Sequence, residues 1–185
     1  MIIYIKENNV NYIACSESGA LSFTTYEDKI CPDNLAMWKV KNRKRVYAGF
    51  GKLNRVSDIL RYDSHLFAKQ VNYENLINYT VPRMRDILQH FNCLKKDKYW
   101  ENELLVISED KAFLITQNLF VRELGDFCAV GSNEGFFMGA LEVTKNMPVA
   151  ERIKDIVASI NQLEDLNYFP ITMINTKTGK KTIIN

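Results

Sequence analysis

Histidine is scarce in this 185-residue chain: the two present, His65 and His90, stand apart. Cysteine is sparse too, and Cys15, Cys31, Cys93 and Cys128 include no CxxC pair. That spacing argues against a zinc site and for reduced thiols in a cytoplasmic protein. Every apolar run is far too short to span a bilayer, so no membrane partner is expected. The apolar start Met1-Ile2-Ile3-Tyr4-Ile5 meets Lys6-Glu7-Asn8-Asn9 too early to form a signal-peptide core. Charge of one sign is also lacking: 24 Lys+Arg against 22 Asp+Glu leave a net +2, which implies no special partner. A P-loop, a zinc-protease helix and the paired carboxylates of glycoside chemistry are absent, and no cofactor is expected.

What remains is an ordinary globular composition, 46% hydrophobic and 25% charged. A chain of this length forms one domain over residues 1–185 and buries roughly 70% of its unfolded surface.

The most informative stretch is residues 45–62. Val46 to Ala48 read as a short strand, Gly49-Phe50-Gly51 as a turn, and the following residues as a helix. Leu53, Val56, Ile59 and Leu60 recur at three- and four-residue intervals, which puts them on one helical face. Glycines between a strand and a helix leave backbone N–H groups uncovered. Such a turn suits an oxyanion, a phosphate or merely a tight connection.

Residues before it read as strands. Asn8-Asn9 is a hairpin turn between two of them, with Ile3 and Ile5 on one side and Tyr12 to Ala14 on the other. Residues 20–26 form a third extended piece, ended by the turn-rich Cys31-Pro32-Asp33-Asn34. Met37 to Val40 is a fourth, and Lys41 to Lys44 form the tip of a hairpin leading into the stretch at 45–62. The run from Lys39 to Arg45 carries five cations in seven residues. With no second basic patch and no interleaved aromatics, it reads as an exposed tip and not as a nucleic-acid surface.

Farther on, Ile77, Val81, Met84, Leu88 and Phe91 mark a helix over 73–91, with Pro82 as a kink or an entry point. Lys95-Lys96-Asp97-Lys98 is a polar connection. Strands follow at 103–108 and 112–116 about a turn at Glu109-Asp110-Lys111, and Leu119 to Val121 continue the sheet edge. Residues 126–145 repeat the earlier pattern: strand Phe127 to Val130, turn Gly131 to Gly135, helix 136–144. A last helix runs from Pro148 to Leu163. Strands at 171–174 and 181–184 close the chain about Lys177-Thr178-Gly179. Helices arriving in adjacent pairs between antiparallel sheets argue against a doubly wound parallel sheet. The expected fold is α+β, two sheets covered by two helical layers.

Val46-Tyr47-Ala48-Gly49-Phe50-Gly51 ahead of a helix resembles the apolar-Ala-Gly-Phe turn of the proteasome β-subunit family and its HslV-like members. The hairpin from Leu104 to Thr116, followed by Cys128-Ala129-Val130-Gly131-Ser132, is similar to that family's hairpin and Ala-Ile-Gly-Ser turn. Order and spacing agree from Ile3 to Ile174. The resemblance implies the four-layer αββα sandwich of N-terminal-nucleophile hydrolases and homo-oligomeric, often ring-like, assembly. It also implies a catalytic pocket with a threonine nucleophile freed at the N-terminus, its own amine as base, and a nearby lysine and aspartate.

This chain departs from that pattern at the nucleophile. The resemblance puts Met1 beside the threonine position, and removing Met1 would expose Ile2, which is no better. Ser16 falls at the aspartate position, where it keeps a hydrogen bond but not the charge. Lys39 matches the family lysine, against a plainer reading as one more cation in a basic hairpin. Gly49 and Gly51 match the oxyanion turn. Ser132 matches the second turn's serine, against a plainer reading as a helix N-cap. Asp165 matches a later aspartate, against a solvated loop carboxylate. The expectation is a proteasome-like subunit without threonine-peptidase activity, acting in assembly, scaffolding or binding. The alternative is an active hydrolase of that type, through processing at Thr24 or Thr25 or through a substitute nucleophile such as Cys15. Cys15 itself reads more simply as a small buried residue.

Overall fold

In the computed structural model, the residues described are 1–16, 37–40, 43–51, 55–94, 100–164 and 167–185. The expected strand at 20–26, the turn at Cys31, the polar connection from Lys95, and the candidates Thr24, Thr25 and Asp165 lie outside them. The first hairpin joins β1 (Ile2–Glu7) to β2 (Val10–Ser16). Asn8 and Asn9 both take positive φ, 50° and 58°, between the paired Glu7 and Val10. A two-residue loop of that shape matches the twist of the strands it joins, and asparagine tolerates it better than most residues do.

β1 is an inner strand, between β2 and β8, of a sheet ordered β10-β9-β2-β1-β8, built with β8 (Phe127–Val130), β9 (Ile171–Asn175) and β10 (Lys181–Ile184). The second sheet runs β3-β4-β5-β6-β7 through β3 (Met37–Lys39), β4 (Tyr47–Phe50), β5 (Leu104–Ile107), β6 (Ala112–Ile115) and β7 (Val121–Glu123). All pairings between these strands are antiparallel. The sheet edge expected at 119–121 begins at Val121, because Leu119 turns the chain with φ of 62°.

Both faces of the central strands are buried, and the two-residue period sorts their side chains between separate cores. Ile2, Tyr4, Ile13 and Cys15 meet Tyr47, Leu105, Ile107 and Leu114 between the sheets. Their neighbours Ile3, Ile5 and Ala14 face the other way, onto Phe137, Leu141, Ile153 and Val157 of α4 (Glu134–Val143) and α5 (Val149–Glu164). Ala48, Phe50, Leu104, Val106 and Phe113 cover the opposite side, where they pack on Leu60, Met84 and Leu88. Those last three belong to α1 (Arg55–Tyr62) and α3 (Val81–His90). Helices, sheet, sheet and helices therefore follow one another as layers, an α+β sandwich with three cores. Each fully buried aliphatic or aromatic side chain contributes on the order of 1.5–3 kcal/mol.

The helical path to α3 starts at α2 (Tyr73–Asn75), where the Asn72 side chain accepts the Asn75 N–H at 2.8 Å. Leu76–Thr80 then widens into a π-helical turn, in which Val81 N–H reaches Leu76 O. Pro82 sits in the first turn of α3, where it lacks an N–H to donate. The loosened turn before it accommodates the missing bond without ending the helical path, so Pro82 acts as an entry point.

Among the described residues, every buried side-chain nitrogen and oxygen has a hydrogen-bond partner. Tyr4 Oη–H donates to Asn11 Oδ1 at 3.1 Å, and Asn11 Nδ2–H donates across the sheets to Ser108 O at 3.1 Å. Arg152 is buried on α5, with Nε 3.2 Å from Thr144 Oγ1, Nη2 on Leu141 O, and its guanidinium 5.3 Å from the Phe127 ring. No helix among the described residues is long and apolar enough to cross a membrane.

Candidate functional site

Three chain segments meet at one end of the sandwich. Ile2 pairs with Cys15 on one side and with Val130 on the other, so Met1 lies level with Ser16 and Gly131. Gly131 takes φ of 110°, a conformation glycine adopts without steric cost. A Cβ there would lie 2.7 Å from Gly51 O and 3.5 Å from Met1 Cα. A Cβ on Gly51 would in turn lie 2.8 Å from Val130 Cγ1 and 3.2 Å from Gly131 N. Two glycine turns, one from each sheet, therefore touch back to back beside Met1.

Met1 is 8% exposed, and its side chain packs with Ile3 and Ile5 toward α4 and α5. Burial lowers the pKa of its α-amine from 8.0, an effect that Cys15 partly opposes. A thioether has no proton to yield to a base, so the side chain at this position cannot form a neutral acyl-enzyme.

The neighbouring groups are occupied. Ser16 is buried, and its hydroxyl donates to Tyr168 O at 2.6 Å. The Cys15 thiol is fully buried between the sheets, 4.0 Å from Thr172 O. Gly51 N–H donates to Glu103 O at 3.1 Å and so extends the β4–β5 ladder by one rung. Gly49 lies inside β4, paired with Met37 and Leu105.

Ser132 is exposed and is not the helix cap; Asn133 holds that position, with φ of 62° and no side-chain capping bond. Its side chain instead donates to Tyr168 Oη at 3.1 Å and to Glu164. Tyr168 N–H donates to Asn161 Oδ1 at 2.9 Å. Tyr168 thus ties the end of β2, the start of α4 and the end of α5 together, a role no local pattern in the sequence announces. Asn102 is a second such residue: it is buried, accepts Glu103 N–H at 2.9 Å, and presents Oδ1 to the Gly51 turn.

Lys39 is not brought to this group. It pairs with Tyr47, two rungs along β4 from the Gly49 rung, and it is exposed. The residue opposite Gly49 is Met37, buried between the sheets. Lys39 belongs to a separate cavity at the other end of the sandwich.

Burial, reinforced by Glu134, raises the pKa of the Glu103 carboxyl, and Arg122 draws it partly back. Burial also pushes the Cys128 thiol up to about 11, so it is protonated at neutral pH. No group of three His, Cys, Asp or Glu side chains suited to a metal ion occurs among the described residues. An open groove of about 740 Å³ lies elsewhere, on the outer helical layer between α1 and α3, with the Asp63–Arg83 ion pair on its wall.

No family model matches the sequence, and no curated protein matches it. Among solved structures, the chain is similar to Thiobacillus denitrificans BPH in complex with epoxomicin, at a TM-score of 0.66 and 13% identity. It is similar also to Thiobacillus denitrificans BPH alone, at 0.67 and 12%. Both likenesses cover 100% of this chain and 98% of the other. At such identity and coverage, what the two proteins share is the fold over their whole length.

Proposed function

We propose that this chain is a proteasome-like subunit of the N-terminal-nucleophile hydrolase fold that has lost threonine-peptidase chemistry and acts in assembly, scaffolding or binding. The observation that carries this reading is Met1 seated beside the touching Gly51 and Gly131 turns. In such a fold the nucleophile belongs beside those turns, and here the residue there is a methionine whose side chain packs toward α4 and α5. Acyl transfer at an N-terminal residue needs a hydroxyl or thiol beside a free amine. Cys15 is a poor substitute, because its thiol is buried in the inter-sheet core, and the Ser16 hydroxyl is already bonded to Tyr168 O.

One observation favours the second reading, an active hydrolase or a pocket that still binds peptide-like molecules. A protein of similar fold, Thiobacillus denitrificans BPH, holds epoxomicin. Calorimetric titration of the purified chain with epoxomicin separates the two. The inert reading predicts no saturable heat, whereas stoichiometric binding abolished by blocking the Met1 end supports the second. Light scattering tests the assembly: a multimer is expected, and a clean monomer contradicts a proteasome-like particle.

A further inference from the structure

The end of the sandwich remote from Met1 holds a cavity of about 200 Å³ lined by Met37, Lys39, Tyr47, Ile174, Gly179 and Lys181, with Trp38 beside them. We propose that this cavity is a binding site for a compact oxyanion, a phosphate or a carboxylate head group, held by Lys39, Lys181 and Tyr47. The site draws on both sheets. Met37, Tyr47 and Ile174 belong to the inter-sheet core and form the apolar floor. Lys39 is two residues from Met37 on β3 and therefore emerges on the same face. Lys181 stands directly opposite Ile174 in the β9–β10 ladder, which puts it on the inter-sheet face as well. Two lysines from the outermost strands of facing sheets thus line one gap. Neither forms an ion pair with another described residue.

Tyr47 supplies a directional donor. The residue is 6% exposed, and its hydroxyl, bonded to no other described residue, is the part left open to the cavity, 3.9 Å from where a Gly179 side chain would begin. Burial raises the phenol's pKa, so it keeps its proton and can donate to an anion at neutral pH. The wall formed by residues 175–179 is fixed in advance: Asn175 Oδ1 accepts Lys177 N–H at 3.1 Å and Thr178 N–H at 3.0 Å, and Asn175 O accepts Gly179 N–H at 2.8 Å. A preformed cleft with an apolar floor, an accessible phenolic hydroxyl and two lysines has the donors an oxyanion requires, and no carboxylate is among its described lining residues. Inward-pointing lysines on edge strands also discourage edge-to-edge pairing, but that role needs neither the cavity nor the hydroxyl.

Isothermal titration calorimetry at constant ionic strength decides the matter, with inorganic phosphate as one probe and N-acetyl-leucine as the other. Saturable millimolar binding of at least one is expected, and whichever binds identifies the head group. Lys39→Gln and Lys181→Gln are each expected to weaken it about tenfold, and Tyr47→Phe several-fold, since each removes a donor to a charged group. Both lysines are exposed, so these variants retain the fold. Absence of saturable heat from both probes overturns the proposal. So does binding unchanged in the Lys39→Gln/Lys181→Gln double variant, or a double variant that self-associates while wild type shows no anion binding.

Discussion

Gly51 and Gly131 are in backbone contact across the two sheets: a single methyl group at Gly131 would sit 2.7 Å from Gly51 O. The backbone φ of 110° at Gly131 excludes a side chain independently of that contact. Gly131→Ala is therefore expected to destabilise the protein by about 2–4 kcal/mol, strain and overlap acting together. Urea denaturation checks this, and Gly139→Ala serves as the control. Gly139 is an exposed helical position with open space for a methyl, where alanine adds helix propensity.

Arg152 contributes to the packing of α4 on α5 through its bonds to Leu141 O and Thr144 Oγ1. Its charge is buried next to carbonyls at the end of α4, where a helix dipole favours a cation. Removing it strands those acceptors, so Arg152→Ala is expected to cost about 2–4 kcal/mol. Arg152→Lys recovers only part of the loss, because an ammonium cannot span both acceptors. Thermal denaturation of the two variants side by side gives the order.

Thiol reactivity separates Cys15 from a nucleophile. Cys15 and Cys128 are buried, and Cys128 has its pKa pushed up to about 11. Cys93 is partly exposed at the end of α3. Alkylation of the native protein at neutral pH, followed by peptide mass mapping, is expected to modify Cys93 well ahead of the other two. Rapid modification of Cys15 contradicts the inert reading.

The α1–α3 corner gives a pH dependence. Burial alone would raise the Asp63 pKa, but the Arg83 guanidinium, with Nε 2.7 Å from Oδ2, and the His65 N–H outweigh it and lower the value below 3.8. A carboxyl depressed in the fold contributes stability that is present above its unfolded value of about 3.9 and lost as pH falls through the folded one. Asp63→Asn is expected to lower the urea midpoint at neutral pH, and the gap to wild type closes on acidification below about pH 4. A gap that persists at pH 2 contradicts this linkage.

The fold was legible where local chemistry admits one solution. Asn8-Asn9 between alternating apolar residues dictates the first hairpin, and the glycine turn after Val130 dictates the strand-to-helix junction at α4. Lys39 was less legible for a physical reason. Slipping a strand by two residues keeps the same side chains on the same face, so the hydrophobic pattern cannot choose between Met37 and Lys39 opposite Gly49. Nor can sequence tell whether a glycine N–H ends a ladder or extends it, as Gly51 does toward Glu103. Tyr168 and Asn102 acquire their roles only when segments distant in sequence meet, and they carry no periodic signal.

The position beside the Gly51 and Gly131 turns holds no working nucleophile in the proposed function. Intact-mass spectrometry before and after incubation with a broad threonine- and cysteine-reactive covalent probe tests it most directly. The expected result is a mass that keeps Met1 and gains no adduct at the Met1 end. Loss of the segment before Thr24 or Thr25, or an adduct mapped to Cys15 or Ser16, contradicts it.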